Sequence, residues 1–201
     1  MTPAGKIMSR LASPWRDFAS ACRLWRFAWL ERQRLRRLEI GANVHCYVPL
    51  HSRGEGSLVI GGSNCFGYWD GPISGDGGIL LQPRRPEATI LIGQGNWFNN
   101  NVTIIANEEI VIGDNCRIGN EVAIFDSDFH EIRAAIRDQG PGPTRPVTIG
   151  HNVWLGSRVM ILKGVAIGEN SVIGAMSLVT RPIPANCLAA GNPAKVVRAI
   201  E

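Results

Sequence analysis

The sequence predicts an all-β solenoid, a fold in which the chain winds into successive coils with three short, flat faces. The main observation is a six-residue repeat: from Ile149 to Val179 a large aliphatic residue recurs at six consecutive sixth positions. Glycine is frequent, at 23 of 201 residues, and aromatic residues make up only 7% of the chain. A period of six fits neither an amphipathic helix nor an alternating strand, whereas three faces of six residues give coils of about 18 residues. The recurring aliphatic side chains are expected to point inward and to stack on those of neighbouring coils.

The repeat has a second inward position, four residues after each aliphatic, which small or branched residues occupy: Val153, Val159, Val165, Ser171 and Ser177. The same phase occurs at Ile112, Ile118 and Ile124, and more loosely at Ile40, Ile60 and Ile92. Glycine follows most of these aliphatics, which predicts sharp turns at the corners of each coil. A sandwich of two β-sheets with regular turns is the alternative, but it does not predict a strict six-residue phase over five units.

Charge is distributed unevenly along the chain. Residues 1–40 hold nine Lys and Arg residues, including Lys6 and Arg10, against three acidic residues, whereas residues 41–201 have a net charge of −2. A general nucleic-acid-binding protein spreads basic charge over its working surface, so the pattern excludes that class. The five cysteines are widely spaced without a C-x-x-C pair, which favours neither a disulfide framework nor a zinc knuckle. Charged residues interrupt every early apolar stretch, so we expect a cytoplasmic protein, with attachment to the inner face of the membrane as an open alternative.

The basic segment, residues 1–38, precedes a predicted solenoid domain at residues 39–201. Residues 14–38 are predicted to be helical because aromatic and thiol side chains recur at spacings of three and four, at Trp15, Phe18, Cys22, Trp25 and Trp29. Two interpretations compete. This stripe covers the open first coil or a trimer contact, since solenoids need caps. Alternatively, a Trp-rich basic helix lies on an anionic membrane as a peripheral contact.

Two interruptions of the repeat predict inserted loops, at about residues 62–86 and 125–147. The second contains His130 in an Asp-x-Asp-x-His pattern that begins at Asp126. Insertions in solenoids commonly carry function, and imidazole has a pKa suited to a general base near neutral pH. The other histidines, His45, His51 and His151, are expected to be surface residues.

Three segments resemble the hexapeptide-repeat acyltransferases, in particular their galactoside, maltose and xenobiotic O-acetyltransferase branch. The segments are PVTIGHNVWLGS (residues 146–157), SVIGA (171–175) and AAGNPAKVVR (189–198). The resemblance implies a left-handed parallel β-helix, a homotrimer with sites between subunits, and acetyl-CoA as co-substrate with no metal. We also expect a short C-terminal helix after Pro193.

The same resemblance assigns roles to individual residues. His130 would be the general base, with Asp128 among the groups that orient it and the Ser157 amide as oxyanion donor. Asn99 and Asp126 would bind the acceptor. Coenzyme-binding positions would be Trp154, Gly156, Gly174, Ala175, Thr180, Arg181, Lys195 and Arg198, of which the basic residues suit nucleotide phosphates.

These expectations predict transfer of an acetyl group from acetyl-CoA to a sugar hydroxyl, in a cell-surface polysaccharide or its precursor. The unusual N-terminal segment favours such an acceptor over simple oligosaccharides. N-acetylation of an amino sugar is the main alternative. A zinc hydratase of γ-carbonic anhydrase type is disfavoured, because it needs three converging histidines and no second histidine lies near His130 in the sequence. A non-catalytic β-helix module is also disfavoured, because it would not need the Asp/His loop or the basic C-terminal pair.

Overall fold

A computed structural model describes residues 14–140 and 142–200. Lys6 and Arg10, which contribute to the basic segment, lie outside the described residues, as does Pro141 of the second inserted loop. The described chain begins with one helix, α1 (Pro14–Glu31), and continues as a left-handed parallel β-helix of three sheets. A short 3-10 helix (Ala134–Ile136) lies in the second inserted loop.

Each turn of the β-helix contributes one strand to each sheet, and neighbouring strands are parallel except at the last pair. Sheet A contains β1 (Arg37–Ile40), β4 (Ser57–Ile60), β7 (Thr89–Ile92), β10 (Glu109–Ile112), β13 (Val147–Ile149) and β16 (Ala166–Ile167). Sheet B contains β2 (His45–Cys46), β5 (Cys65–Phe66), β8 (Trp97–Phe98), β11 (Arg117–Ile118), β14 (Trp154–Leu155), β17 (Val172–Ile173), β19 (Cys187–Gly191) and β20 (Ala194–Ala199). Sheet C contains β3 (Leu50–His51), β6 (Ile79–Pro83), β9 (Thr103–Ala106), β12 (Ala123–Phe125), β15 (Met160–Ile161) and β18 (Leu178–Val179).

The core is built from the residues of the six-residue repeat, as predicted. In sheet A, register places seven isoleucines in one column: Ile40, Ile60, Ile92, Ile112, Ile149, Ile167 and Ile183. Ile112 and Ile149 are each 1% exposed, although the second inserted loop separates them in the chain. The small second position is also inward, since Val159 and Ser171 are fully buried. The loosely repeating isoleucines at the start of the chain are therefore in phase with the strict repeat.

The corners use glycine for close packing more than for turning. At Gly113 the backbone dihedral is ordinary, but an added Cβ would lie 2.8 Å from the carbonyl carbon of Gly150 in the next coil. The left-handed backbone falls two residues later, at Asn115 (φ 59°) and its equivalents Asn152 and Asn170 (φ 53° and 58°). Asparagine tolerates this conformation better than most residues. The prediction that the first corner glycine makes the sharp turn is therefore wrong. Glycine is needed at this position because the neighbouring coils approach too closely for a side chain.

Helix α1 covers the first coil, but with the face opposite to the predicted one. Ser20, Phe27 and Glu31 are buried against the solenoid, and Leu24 packs beside them. The stripe predicted to cover the coil is exposed instead: Trp15, Phe18, Cys22, Trp25 and Trp29. The helix also ends at Glu31, earlier than predicted, because residues from Arg37 onward already pair with the second coil.

Two further expectations about elements are corrected. The first inserted loop is confined to residues 67–78, because β5 and β6 keep the flanking residues in sheets B and C. The predicted helix after Pro193 is wrong: residues 194–199 form β20, which runs antiparallel to β19. The pairing gives the last coil's exposed edge a hydrogen-bonding partner, and Val196 and Val197 favour a strand over a helix. The second inserted loop spans residues 126–146, between β12 and β13.

Candidate functional site

The loop at residues 126–146 leaves the prism at the edge where sheet C turns towards sheet A, which we call the C–A edge. Its first residue, Asp126, is fully buried, and its carboxylate accepts hydrogen bonds from the backbone N–H groups of Asn107 (2.8 Å) and Glu108 (2.7 Å). Burial raises the pKa of Asp126 against the opposing effect of these bonds. The carboxylate is therefore occupied by backbone donors and holds the base of the loop, while the predicted contact between Asp126 and an acceptor stays a prediction.

Other contacts bring the two ends of this loop together. Ser127 and Thr144 form an antiparallel bridge, and the Asp128 N–H donates to the carbonyl of Pro143 at 3.3 Å. The Ser127 hydroxyl also accepts a hydrogen bond of 2.6 Å from the Asn107 amide. The loop is therefore attached to the β-helix at its base, while its tip extends from the edge.

His130 is exposed on the outward part of this loop, with 64% of its side chain accessible. The preceding residue, Phe129, adopts a left-handed backbone conformation (φ 65°), which is rare for a bulky residue. Its ring packs edge-on against Phe125 at 5.3 Å and lies under the Arg84 guanidinium at 4.8 Å. These contacts compensate the unfavourable backbone, and strained residues of this kind cluster at functional sites. Phe129 thus turns inward and leaves the imidazole facing out.

The acidic residues near His130 differ from the predicted ones. Asp128 forms an ion pair with Lys163, and its Oδ2 is buried without a hydrogen-bond partner among the described residues. The carboxylate nearest to His130 is that of Asp138, whose Oδ1 lies 3.6 Å from Nδ1. That distance is in ion-pair range but too long for a hydrogen bond. The structure therefore gives Asp138 the position beside the imidazole that sequence reasoning offered to Asp128.

A groove of about 200 Å³ lies on the outer face of sheet B. The register of β8, β11 and β14 aligns Trp97, Arg117 and Trp154 in one outward column. Asn99 lies at the rim of the groove, and its side-chain oxygen accepts a hydrogen bond of 2.7 Å from the Asn100 N–H. The groove thus brings together the predicted acceptor residue Asn99 and the predicted coenzyme residue Trp154.

The loop at residues 67–78 forms one wall of this groove. Buried Asn100 holds it: its Oδ1 accepts from the Tyr68 N–H (2.8 Å), and its Nδ2 donates to the carbonyls of Tyr68 (3.0 Å) and Pro72 (3.2 Å). Gly67 and Tyr68 line the groove directly. Asn99 and Asn100 therefore have different tasks: Asn99 faces the groove, whereas Asn100 supports the loop.

The other predicted coenzyme residues divide between two parts of the surface. Gly156, Ser157, Gly174 and Ala175 lie where sheet B turns towards sheet C, which we call the B–C edge. The Ser157 N–H donates to none of the described backbone carbonyls, as an oxyanion donor would require. Thr180 and Arg181 are exposed at the C–A edge, on the side of the His130 loop.

Lys195 and Arg198 are exposed on the outer face of sheet B. Their cross-strand partners, Ala190 and Leu188, are two residues apart in β19, so an irregularity in β20 brings both basic side chains to one face. Register continues the outward column from Trp154 through Val172 and Leu188 to Arg198. Three strand spacings separate Trp154 from Arg198, which is about 14 Å. The pair predicted on a helix thus remains together on a strand, in line with the groove.

Within one chain, the groove and the His130 loop lie at opposite edges of sheet C. Asn99 and Ser157 belong to the B–C edge, whereas Asp128, His130 and Lys163 belong to the C–A edge. Successive corners are about six residues apart, or up to about 20 Å of extended chain. One chain alone therefore does not bring the predicted base to the predicted acceptor residue.

The remaining histidines make local contacts. His151 Nδ1 accepts a hydrogen bond of 3.0 Å from the Asp114 N–H at a corner, and His51 Nε2 lies 3.4 Å from Asp76 in the first loop. His45 stacks on Tyr47 with ring centroids 6.2 Å apart. Among residues 14–140 and 142–200, no three His, Cys, Asp or Glu side chains come together as a metal site would require.

Sequence reasoning missed several residues of these two regions. Trp97, Arg117 and Tyr68 line the groove, and Lys163 and Asp138 contact the acidic and imidazole side chains of the loop. The outward column on sheet B was available from the repeat, because Trp97, Arg117 and Trp154 each precede an inward residue of the phase. No local signal indicated the pairing of Lys163 with Asp128, which are 35 residues apart.

The fold and the six-residue repeat define a class of architecture, the left-handed parallel β-helix. A family model described as "Bacterial transferase hexapeptide (six repeats)" matches residues 146–181. The galactoside O-acetyltransferase of Escherichia coli K12 is 44% identical over 113 residues, which are 56% of this chain and 55% of that protein. A putative acetyltransferase of Saccharomyces cerevisiae is 48% identical over the same length, 56% of this chain and 57% of the relative.

Solved structures have a similar fold. A galactoside acetyltransferase in complex with coenzyme A is 34% identical, with a TM-score of 0.52 over 76% of this chain and 64% of the other. AntD, an N-acyltransferase from Bacillus cereus, superposes with a TM-score of 0.67 over 86% of this chain and 87% of its own, at 19% identity, and so supports the fold alone. Within the matched residues, the chain is similar to the hexapeptide-repeat acyltransferases. It spans a little over half the length of the curated relatives that it matches.

Proposed function

We propose that the protein transfers an acetyl group from acetyl-CoA to a sugar hydroxyl of a cell-surface polysaccharide or its precursor. The observation that carries the proposal is the exposed imidazole of His130, on a loop whose base is attached to the β-helix through buried Asp126. A hydroxyl is a weak nucleophile until a base removes its proton in the transition state. The relatives named galactoside O-acetyltransferase support this class of acceptor.

In the proposed reaction, His130 Nε2 accepts the proton of the acceptor hydroxyl while the hydroxyl oxygen bonds to the thioester carbon. The Ser157 N–H stabilises the charge that develops on the carbonyl oxygen. The carbon–sulfur bond then breaks, and His130 returns the proton to the leaving sulfur. The products are an acetyl ester and free coenzyme A. Asp138, whose carboxylate lies 3.6 Å from Nδ1, would orient the imidazole during this step.

The sheet B groove and its continuation offer surface for the co-substrate. Trp154 would contact the arm of acetyl-CoA, and Lys195 and Arg198 would contact its phosphates, about 14 Å along the outward column. Asn99 at the groove rim would bind the acceptor hydroxyl, because an amide both donates and accepts.

We further propose a homotrimer in which the active site forms between subunits. The support is the separation of His130 and Asn99 to opposite edges of sheet C, which a closed threefold arrangement would bridge with two chains. Sedimentation should then give three times the chain mass of 21.9 kDa.

The test of the base compares two histidines in one chain. His130→Ala should lower kcat by about 10²–10⁴, whereas His151→Ala, at a corner, should leave kcat within about twofold. Retention by His130→Ala of more than about a tenth of wild-type kcat would show that another group activates the acceptor. Assaying sugars that carry only hydroxyl groups beside amino sugars separates O-transfer from N-transfer.

The test of the shared site mixes two inactive chains. Subunits carrying His130→Ala and subunits carrying Asn99→Ala should regain activity when unfolded and refolded together, because some interfaces then contain His130 from one chain and Asn99 from the other. Each variant refolded alone is the control. Failure of the mixture, with mixed trimers demonstrated by mass spectrometry, would place both residues of one site in one subunit.

A further inference from the structure

Helix α1 has one buried face and one exposed face. One face packs on the β-helix through Ser20 and Phe27, which are 2% and 3% exposed. The other presents four large aromatic side chains, here called the aromatic face: Trp15 (80% exposed), Phe18 (64%), Trp25 (69%) and Trp29 (60%). At about 100° per residue, these four lie on the side of the helix opposite Ser20. Trp25 and Trp29 stack on each other with centroids 6.4 Å apart, which leaves a nearly continuous apolar strip.

The position of α1 determines where this strip points. Strand β2 is the first strand of sheet B, and the N–H groups of His45 and Tyr47 donate towards the second coil. The N–H of Cys46 therefore points the opposite way, out of the end of the prism, and it donates to the Ser20 hydroxyl at 2.7 Å. Since Ser20 lies on the buried side of α1, the aromatic face points away from the prism along its axis.

Basic side chains surround the strip. Residues 14–36 contain six arginines and only two acidic residues, one of which, Glu31, is buried. Arg26 is exposed beside the strip, and Arg32, Arg34 and Arg36 are exposed just beyond its end. Tryptophan side chains with flanking arginines suit the boundary between lipid headgroups and acyl chains. In the part of the chain that the structure describes, no helix combines the length and apolarity needed to cross a bilayer.

We propose that α1 attaches the protein to an anionic lipid surface, with its axis in the plane of the membrane and its aromatic face inserted. A second copy of the chain fits this surface less well, because a symmetric contact between two aromatic faces would also bring two sets of the same arginines together. Anionic headgroups instead neutralise them. In the threefold assembly proposed above, on which this step alone rests, three aromatic faces point to one side and bind the same membrane together.

The test is sedimentation of the full-length protein with vesicles. Vesicles of 30% phosphatidylserine in phosphatidylcholine should bind the protein at least tenfold more strongly than phosphatidylcholine alone, and 0.5 M salt should reduce the difference. The double variant Trp25→Ser/Trp29→Ser should bind at least tenfold more weakly. Its melting temperature should stay at the wild-type value, because both side chains are exposed. Its kcat with a water-soluble acceptor should also be unchanged, because α1 contributes no residue to the candidate site.

The matched control is Trp154→Ser, which removes another exposed tryptophan (56% accessible) from the far side of the fold and should leave vesicle binding unchanged. Absence of wild-type binding, or equal binding of the double variant, would overturn the proposal. A double variant that sediments in buffer as a smaller oligomer than wild type would also overturn it, because the aromatic face would then join copies of the chain. Retention of kcat by His130→Ala would overturn the proposed base and leave vesicle binding unaffected, so the two proposals fail separately.

Discussion

Replacing Asp126 tests how the His130 loop is held to the β-helix. The Asp126→Ala variant removes the acceptor of two backbone N–H groups, those of buried Asn107 and of exposed Glu108, whose wild-type bonds are 2.8 and 2.7 Å. Each unsatisfied buried donor costs about 1–3 kcal/mol. Because Glu108 is exposed, its N–H can bond to water, and removal of the buried carboxylate also offsets part of the cost, so we expect a net loss of about 1–3 kcal/mol in the free energy of unfolding. Urea denaturation followed by circular dichroism, at one fixed protein concentration, measures it.

The control is Asp138→Ala in the same loop, whose side chain is 94% exposed and should change the free energy of unfolding by less than about 0.5 kcal/mol. A loss below about 0.5 kcal/mol for Asp126→Ala as well would refute the reasoning, because the two donors would then have found other partners.

The raised pKa of Asp126 predicts the direction in which the free energy of unfolding changes with pH. Burial raises the pKa of this carboxyl in the folded state, so its contribution to stability is fully present below its unfolded pKa of about 3.9 and declines as pH rises through the folded value. Asp126→Asn keeps one acceptor oxygen and does not titrate. The difference in unfolding free energy, wild type minus Asp126→Asn, should therefore fall as pH rises above about 4. A difference that grows with pH would contradict the assigned cause.

Two further predictions concern the tail and the thiols. Lys195→Ala and Arg198→Ala should each raise the KM for acetyl-CoA about two- to tenfold with kcat unchanged, since both side chains are exposed and would bind remote phosphates equally in the ground and transition states; unchanged KM in steady-state assays would remove the phosphate assignment. Burial raises the pKa of Cys46 and of Cys65 to about 12, whereas Cys22 is exposed. At pH 8 a disulfide reagent that yields a coloured thiolate should titrate about one thiol rapidly in the native protein and all five in denaturant, and rapid reaction of three or more would be inconsistent with the packing.

The β-helix was predictable because its information is local and repeated. Each aliphatic residue of the six-residue repeat occupies the same inward position, so even the isolated Ile40, Ile60 and Ile92 lie in the isoleucine column of sheet A. The C-terminal helix failed for a reason that was also in the sequence: a spacing of three between Lys195 and Arg198 suggested helical turns, while Val196 and Val197 favoured the observed strand.

Other features depend on contacts that the sequence does not show. A periodic stripe identifies one face of a helix, but it does not show which face packs on the rest of the protein. In α1 the face with fewer large side chains, which includes Ser20 and Phe27, is the buried one. The loop was found from a break in the repeat, yet the partners of its acidic residues come from elsewhere: Asn107 and Glu108 for Asp126, and Lys163 for Asp128. Hence the position of the candidate base was predictable and its electrostatic surroundings were not.

The direct pairing of β10 with β13 has a consequence for how such a protein can change. Ile110 pairs with Val147 and Ile112 with Ile149, as though the intervening residues 126–146 were absent from the chain. The stack therefore sets no length for that loop, provided that Asp126 and Arg145 still meet at its base, where the Arg145 N–H donates to the Asp126 carbonyl at 2.9 Å. This one segment, which carries His130, can therefore change in length and sequence while the coils on either side of it keep their register.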